Sequence, residues 1–114
     1  MPDCQQISVG PPHGAIGVTV RNGTAVLVLA GEVDIEVVAT FRSARVPARD
    51  RVTEVDAGDV TLLSATAVQL LLDVRWAAAL AGRSLVLVRS NAHVDRVLDL
   101  LGLTGAFPRG RPGG

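Results

Sequence analysis

The apolar residues of this chain switch repeatedly between a spacing of two and a spacing of three to four, and that switching limits its fold more than any other feature. Around Asn22-Gly23, Ile16, Val18 and Val20 alternate with Gly17 and Thr19, and Thr24 to Ala30 reads Thr-Ala-Val-Leu-Val-Leu-Ala. Asn-Gly tolerates the positive φ of a type I′ turn, so the two runs predict a hairpin. The second run is apolar on both faces, as a central strand requires, and Gly31-Glu32-Val33-Asp34 ends it. Asp34 is placed to accept hydrogen bonds from the free N–H groups of a first helix, in which Val37, Val38, Phe41 and Ala44 recur at helical spacing as far as Pro47.

A third strand is predicted over Val52 to Ala57, followed by Gly58-Asp59 and Val60-Thr61-Leu62-Leu63. A second helix then starts at Ser64-Ala65-Thr66. With Ala67 at the centre of one side, Leu70, Leu71, Val74, Ala77, Ala78 and Ala81 fall beside it at helical pitch, and Gly82 is placed to cap the end. The fourth strand is Leu85-Val86-Leu87-Val88-Arg89. Ser90 is the expected N-cap of a third helix whose Val94, Val97, Leu98 and Leu101 make a buried stripe, ending at Gly102. The order β-β-α-β-α-β-α predicts an α/β fold: a mixed four-stranded sheet with an antiparallel opening hairpin, parallel later strands and three main helices.

Composition sets bounds on partners. At 114 residues, 48% of them hydrophobic, the chain suffices for one domain, expected over 15–107 between a flexible N-terminal segment 1–14 and a flexible tail 108–114. Eleven basic and eleven acidic residues cancel, so no overall field draws the chain to nucleic acid or to a membrane. Arg42, Arg45, Arg49 and Arg51 read as a solvated side and exit loop, because Asp50 and Glu54 are interspersed. A single cysteine, Cys4, and the lack of a charged start followed by an apolar run predict a cytoplasmic location.

Catalytic readings fail one by one. His13 sits among Pro and Gly, His93 reads as an exposed residue of the third helix, and one Cys with two separated His offers no metal-ligand spacing. Ser64 and Thr66 lack the flanking glycines of a nucleophile elbow, and without lysine there is no phosphate-binding loop. No enzymatic activity, cofactor or metal is expected. As residues alone, Ser64 and Thr66 read as a helix cap.

The segment Val55-Asp56-Ala57-Gly58-Asp59-Val60-Thr61-Leu62-Leu63-Ser64-Ala65-Thr66-Ala67-Val68 resembles the signature of the STAS domain, the sulfate transporter and anti-sigma factor antagonist family. Gly31-Glu32-Val33-Asp34 is similar to the family's Gly-Glu-Leu-Asp, and Leu98 to Leu103 resembles its last helix. The resemblance covers about Ala15 to Phe107. It implies an anti-sigma factor antagonist that binds a partner acting both as serine-threonine protein kinase and as anti-sigma factor, with Thr66 at the phosphoacceptor position. Where the family carries Asp, Ser and Gly around this site, the chain has Ser64, Ala65 and Ala67. Ser64 removes a charge beside the acceptor, and a constitutively binding member or a scaffold module in a stress-sensing assembly is the alternative. The helical wheel puts Trp76 opposite Ala67, on a face with Gln69, Leu72, Asp73 and Leu80. Asp34, Ser64, Ala65, Thr66, Ala67, Gln69 and Trp76 are accordingly the expected partner-binding set, on a monomer or weak homodimer.

Overall fold

The structure is a computed structural model that describes residues 14–110. Strands β1 (Ala15–Arg21) and β2 (Thr24–Val33) form the hairpin, followed by α1 (Ile35–Ser43), β3 (Val52–Leu63), α2 (Ala65–Leu80), β4 (Val86–Arg89) and α3 (Ala92–Leu100). Asn22 and Gly23 carry φ of 52° and 78°, the pair of left-handed residues a type I′ turn needs. The sheet order is β1-β2-β3-β4, with β1 antiparallel to β2 and the other neighbours parallel. This is the expected mixed α/β sheet with three helices. The segments expected to be loose, 1–14 and 108–114, lie outside the described residues apart from Gly14 and 108–110.

Strand lengths depart from expectation. β2 continues through Gly31-Glu32-Val33, and β3 runs unbroken across Gly58-Asp59 to Leu63. Register shifts between the two strands absorb the glycines, with Ala30 paired to Asp59 and Gly31, at φ 71°, paired to Val60. β4 is only four residues long and leaves the second half of β3 without a strand on that side. The start of α3 takes its place. Asn91 donates through Nδ2 to the carbonyls of Gly58 and Val60, and His93 Nε2 accepts the Leu63 N–H at 3.0 Å. His93 is therefore half-buried and structural, not the exposed residue its sequence position suggested. The N-cap of α3 is Asn91, not Ser90: Asn91 Oδ1 accepts from Val94 N, while the Ser90 hydroxyl donates to Asp95.

The core lies between the sheet and its helices. Leu27, Leu29, Val55 and Ala57 meet Val38 and Phe41 of α1, Ala67, Leu70 and Leu71 of α2, and Val94 and Leu98 of α3. Three residues expected inside are outside, namely Ala77, Ala81 and Leu101. α2 dips into the core mainly over its first two turns. α3 reverses at Gly102, φ 72°, where Leu103 N donates to Leu98 O and Leu103 packs inward in place of Leu101. α1 stops before the expected Pro47, and Arg49 returns to donate to the carbonyls of Phe41 and Arg42 with its guanidinium 4.6 Å from the Phe41 ring centre. Arg49 thus closes the helix end and is no mere solvated charge.

On the other face of the sheet, Asp56 alternates with the core residues Val55 and Ala57 and is only 2% exposed. Arg21 and Arg89 donate to its Oδ2 at 2.9 and 3.2 Å, and the Gly58 N–H to its Oδ1. Burial works against the ionised form, but Arg21, the Gly58 N–H and Arg89 together outweigh it and hold the carboxyl below the ordinary aspartate range. A carboxyl so shifted stabilises the fold above about pH 4, and that contribution is lost as pH falls through its depressed value. The unfolding midpoint should accordingly drop on acidification, with Asp56→Asn showing a shallower acid limb. Superimposable limbs for the two proteins would contradict this account.

Candidate functional site

All three helices start at one end of the sheet, beyond the carboxyl ends of β2, β3 and β4, where open parallel sheets place their sites. Each start is capped by a short polar side chain. Asp34 Oδ1 accepts from Val37 N at 3.0 Å, Ser64 Oγ from Ala67 N at 3.1 Å, and Asn91 Oδ1 from Val94 N at 2.9 Å. Val33 pairs with Leu63, and the Ser64 N–H donates to Val33 O at 3.1 Å, so Asp34 and Ser64 emerge side by side. The starts of α1 and α2 therefore form one surface.

The expected site residues separate on that surface. Asp34 and Ser64 are half-buried caps, Ala65 is exposed, and Thr66 is half-buried in the first turn of α2. Ala67 is fully buried, which corrects its inclusion among the partner-binding residues: at the third helical position its methyl points into the core. Gln69 is exposed and donates to Asp73, which also receives Arg42 from α1 at 2.6 Å. Those bonds, Arg42 first, lower the Asp73 pKa, though an exposed pair of this kind adds little stability. Trp76 is 65% exposed and Leu80 73% exposed, one turn apart on the same outer face as Ala65 and Gln69. At helical rise Thr66 and Trp76 lie about 15 Å apart along the axis of α2.

Two site residues escaped the sequence reading. Ile35, 64% exposed, opens α1 directly after Asp34, and Leu62, 44% exposed, lies one residue before Leu63 in β3. The signal for Leu62 was present: of two adjacent leucines in a strand only one can face the core. Together they put apolar surface at the same end of the sheet as Thr66, with Glu32, the register partner of Leu62, and Glu36 adding acid. Such an arrangement can dock a partner and can carry an anion at a helix start, where free N–H groups and the helix dipole favour negative charge. Among the described residues no group of three or more His, Cys, Asp or Glu side chains could hold a metal ion, and no helix is long and apolar enough to cross a membrane.

A family model described as Mlab, STAS domain matches residues 16–108, from the start of β1 to the segment after α3. The chain belongs to the STAS family. No curated protein matches it. In this STAS domain the segment that resembles the family's signature runs through most of β3 into the start of α2. The acid of the family's motif is replaced by Ser64, which still performs the capping that an aspartate performs at such a position.

Proposed function

We propose that this STAS domain is an anti-sigma factor antagonist that docks through the start and outer face of α2 onto a kinase-type anti-sigma factor, and that phosphorylation of Thr66 controls the contact. The observation that carries this reading is the placement of Thr66 in the first turn of α2, at the end of the sheet where the apolar side chains of Ile35 and Leu62 are exposed and on the helix that also exposes Trp76. Unphosphorylated, that surface buries apolar area against the partner. Phosphate adds about −1.5 to −2 charges at neutral pH, at an end of the sheet that already carries Glu32, Asp34 and Glu36, and a desolvated contact pays heavily for unpaired charge. In the free protein the helix start tolerates the same phosphate, so the switch acts on binding and leaves the fold intact. Such a circuit operates in the cytoplasm.

Mass spectrometry after incubation with ATP and the kinase-type anti-sigma factor recovered from native cells tests the assignment directly. Phosphate is expected on Thr66; phosphate on Ser64, or on neither residue, would favour a constitutive binder or scaffold module. Thr66→Glu is expected to weaken the complex by about tenfold or more, the loss of roughly 1.4 kcal/mol that an uncompensated interfacial charge easily costs. Thr66→Ala should bind normally and resist release by ATP. Trp76→Ala reports separately on the outer face: unchanged affinity would confine the contact to the helix start.

A further inference from the structure

The sheet treats its two edges differently. Beyond β4, Leu87 N donates to Pro108 O at 2.8 Å and Gly110 N to Leu87 O at 3.2 Å, so that 108–110 lies along the strand, with Arg109 tied to Asp95 at 2.8 Å. The overhang of β3 is closed by Asn91 and His93. β1, in contrast, is a seven-residue strand at the end of the sheet order and, among the described residues, pairs with β2 alone. An unprotected edge of this kind is a template for another strand.

The hairpin fixes which backbone groups that edge offers. Arg21 and Thr24 flank a two-residue turn and form a hydrogen-bonded pair, so bonded pairs recur at Thr19, Gly17 and Ala15. Val20, Val18 and Ile16 therefore direct their N–H and C=O groups outward. None of the three is charged or a proline, and the strand carries no bulge, so among the described residues the usual edge-blocking devices are missing. Their side chains point to the α1 side of the sheet. There Ile16 lines a groove of about 450 Å³ with Val37, Phe41 and Val46, while Val20 at the other end of the strand is 60% exposed. None of the groove's lining residues belongs to the start of α2.

We infer that the outer edge of β1 is a docking surface for β1 of a second copy of this chain, antiparallel and centred on Val18. Centred there, Val18 meets Val18, and Val20 of each copy meets Ile16 of the other. All three pairs are of the doubly bonded kind, about six backbone hydrogen bonds in total. Each exposed Val20 comes over the mouth of the other copy's groove, so the apolar end of the strand finds the apolar hollow and the contact is self-complementary, as a two-fold interface requires. The formal net charge of zero leaves no long-range repulsion between copies. A strand of seven residues falls short of the roughly 20–30 residues a side of a standard interface, so the dimer is weak and concentration-dependent.

Sedimentation velocity of the full chain from about 10 μM to about 1 mM, the range where small interfaces assemble, should show a monomer–dimer equilibrium. Val18→Pro removes an N–H that faces outward, and so spares the β1–β2 ladder while blocking the edge. Val20→Glu puts a charge at the mouth of the groove from a position already exposed. Each variant should keep the wild-type circular dichroism and raise the dissociation constant by about tenfold or more. If Val18→Pro does not fold, Val20→Glu carries the test. A chain monomeric at every concentration would leave the edge to solvent or to another protein's strand and overturn the inference, as would a dimer retained by either folded variant.

Discussion

Phe107→Ala is expected to lower the free energy of unfolding by about 3–5 kcal/mol, a large share of the roughly 5–15 kcal/mol available to a domain. Phe107 is 3% exposed and joins the core cluster although it lies beyond the last helix. Removing a buried ring forfeits its transfer free energy and leaves a cavity. A second consequence follows from its place in the chain. Phe107 is adjacent to Pro108, whose carbonyl accepts the Leu87 N–H, so the ring anchors the segment that covers the edge of β4. Denaturant unfolding should show the loss, and amide exchange at Leu87 should accelerate selectively. A change under about 1 kcal/mol, near the level of ordinary surface substitutions, would mean that this segment is not part of the fold.

Leu71→Ala should cost about 2–5 kcal/mol for the same physical reason, applied to the helix that carries the site. Leu71 is 2% exposed and lies on α2 one turn beyond the fully buried Ala67, beside Leu70. Its loss opens a void at the seam that holds the start of α2 against the sheet. Trp76→Ala, one and a half turns further along, removes a larger side chain that is 65% exposed, and should change stability by no more than about 0.5 kcal/mol. Comparing the two denaturation midpoints fixes the rotation of α2: equal costs, or the reverse order, would place Trp76 inside and take the outer face out of the proposed partner surface.

Much of the architecture was legible because it is written in local signals. Asn22-Gly23 specifies a hairpin turn by its tolerance of positive φ, Asp34 and Ser64 cap helices with their own side chains, and Gly82 and Gly102 end helices at φ of 76° and 72°. Each such signal acts within a few residues. Thr66 was singled out in another way, as the candidate phosphoacceptor that a motif resemblance implies; residue chemistry alone did not separate it from a cap. The Ser90 expectation failed where two candidate caps were adjacent. Asn91 is the cap of α3, and its side chain also reaches the carbonyls of Gly58 and Val60, 33 and 31 residues earlier in the chain.

The sequence by itself determined the order of elements, the hairpin, the helix starts and most of the buried stripe, because those depend on backbone preferences and on the period of apolar residues. Tertiary structure alone decided how far β3 runs, that His93 accepts the Leu63 N–H, that Asp56 lies buried under Arg21 and Arg89, and that Phe107 belongs to the core. It also decided that Ile35 is exposed at the same end of the sheet as Thr66 and that, among the described residues, the edge of β1 has no partner strand. These features join residues far apart in the chain, from 30 positions for Leu63 and His93 to 35 for Arg21 and Asp56. No local periodicity can report such a contact, because it exists only once the strands have paired and brought its two ends together.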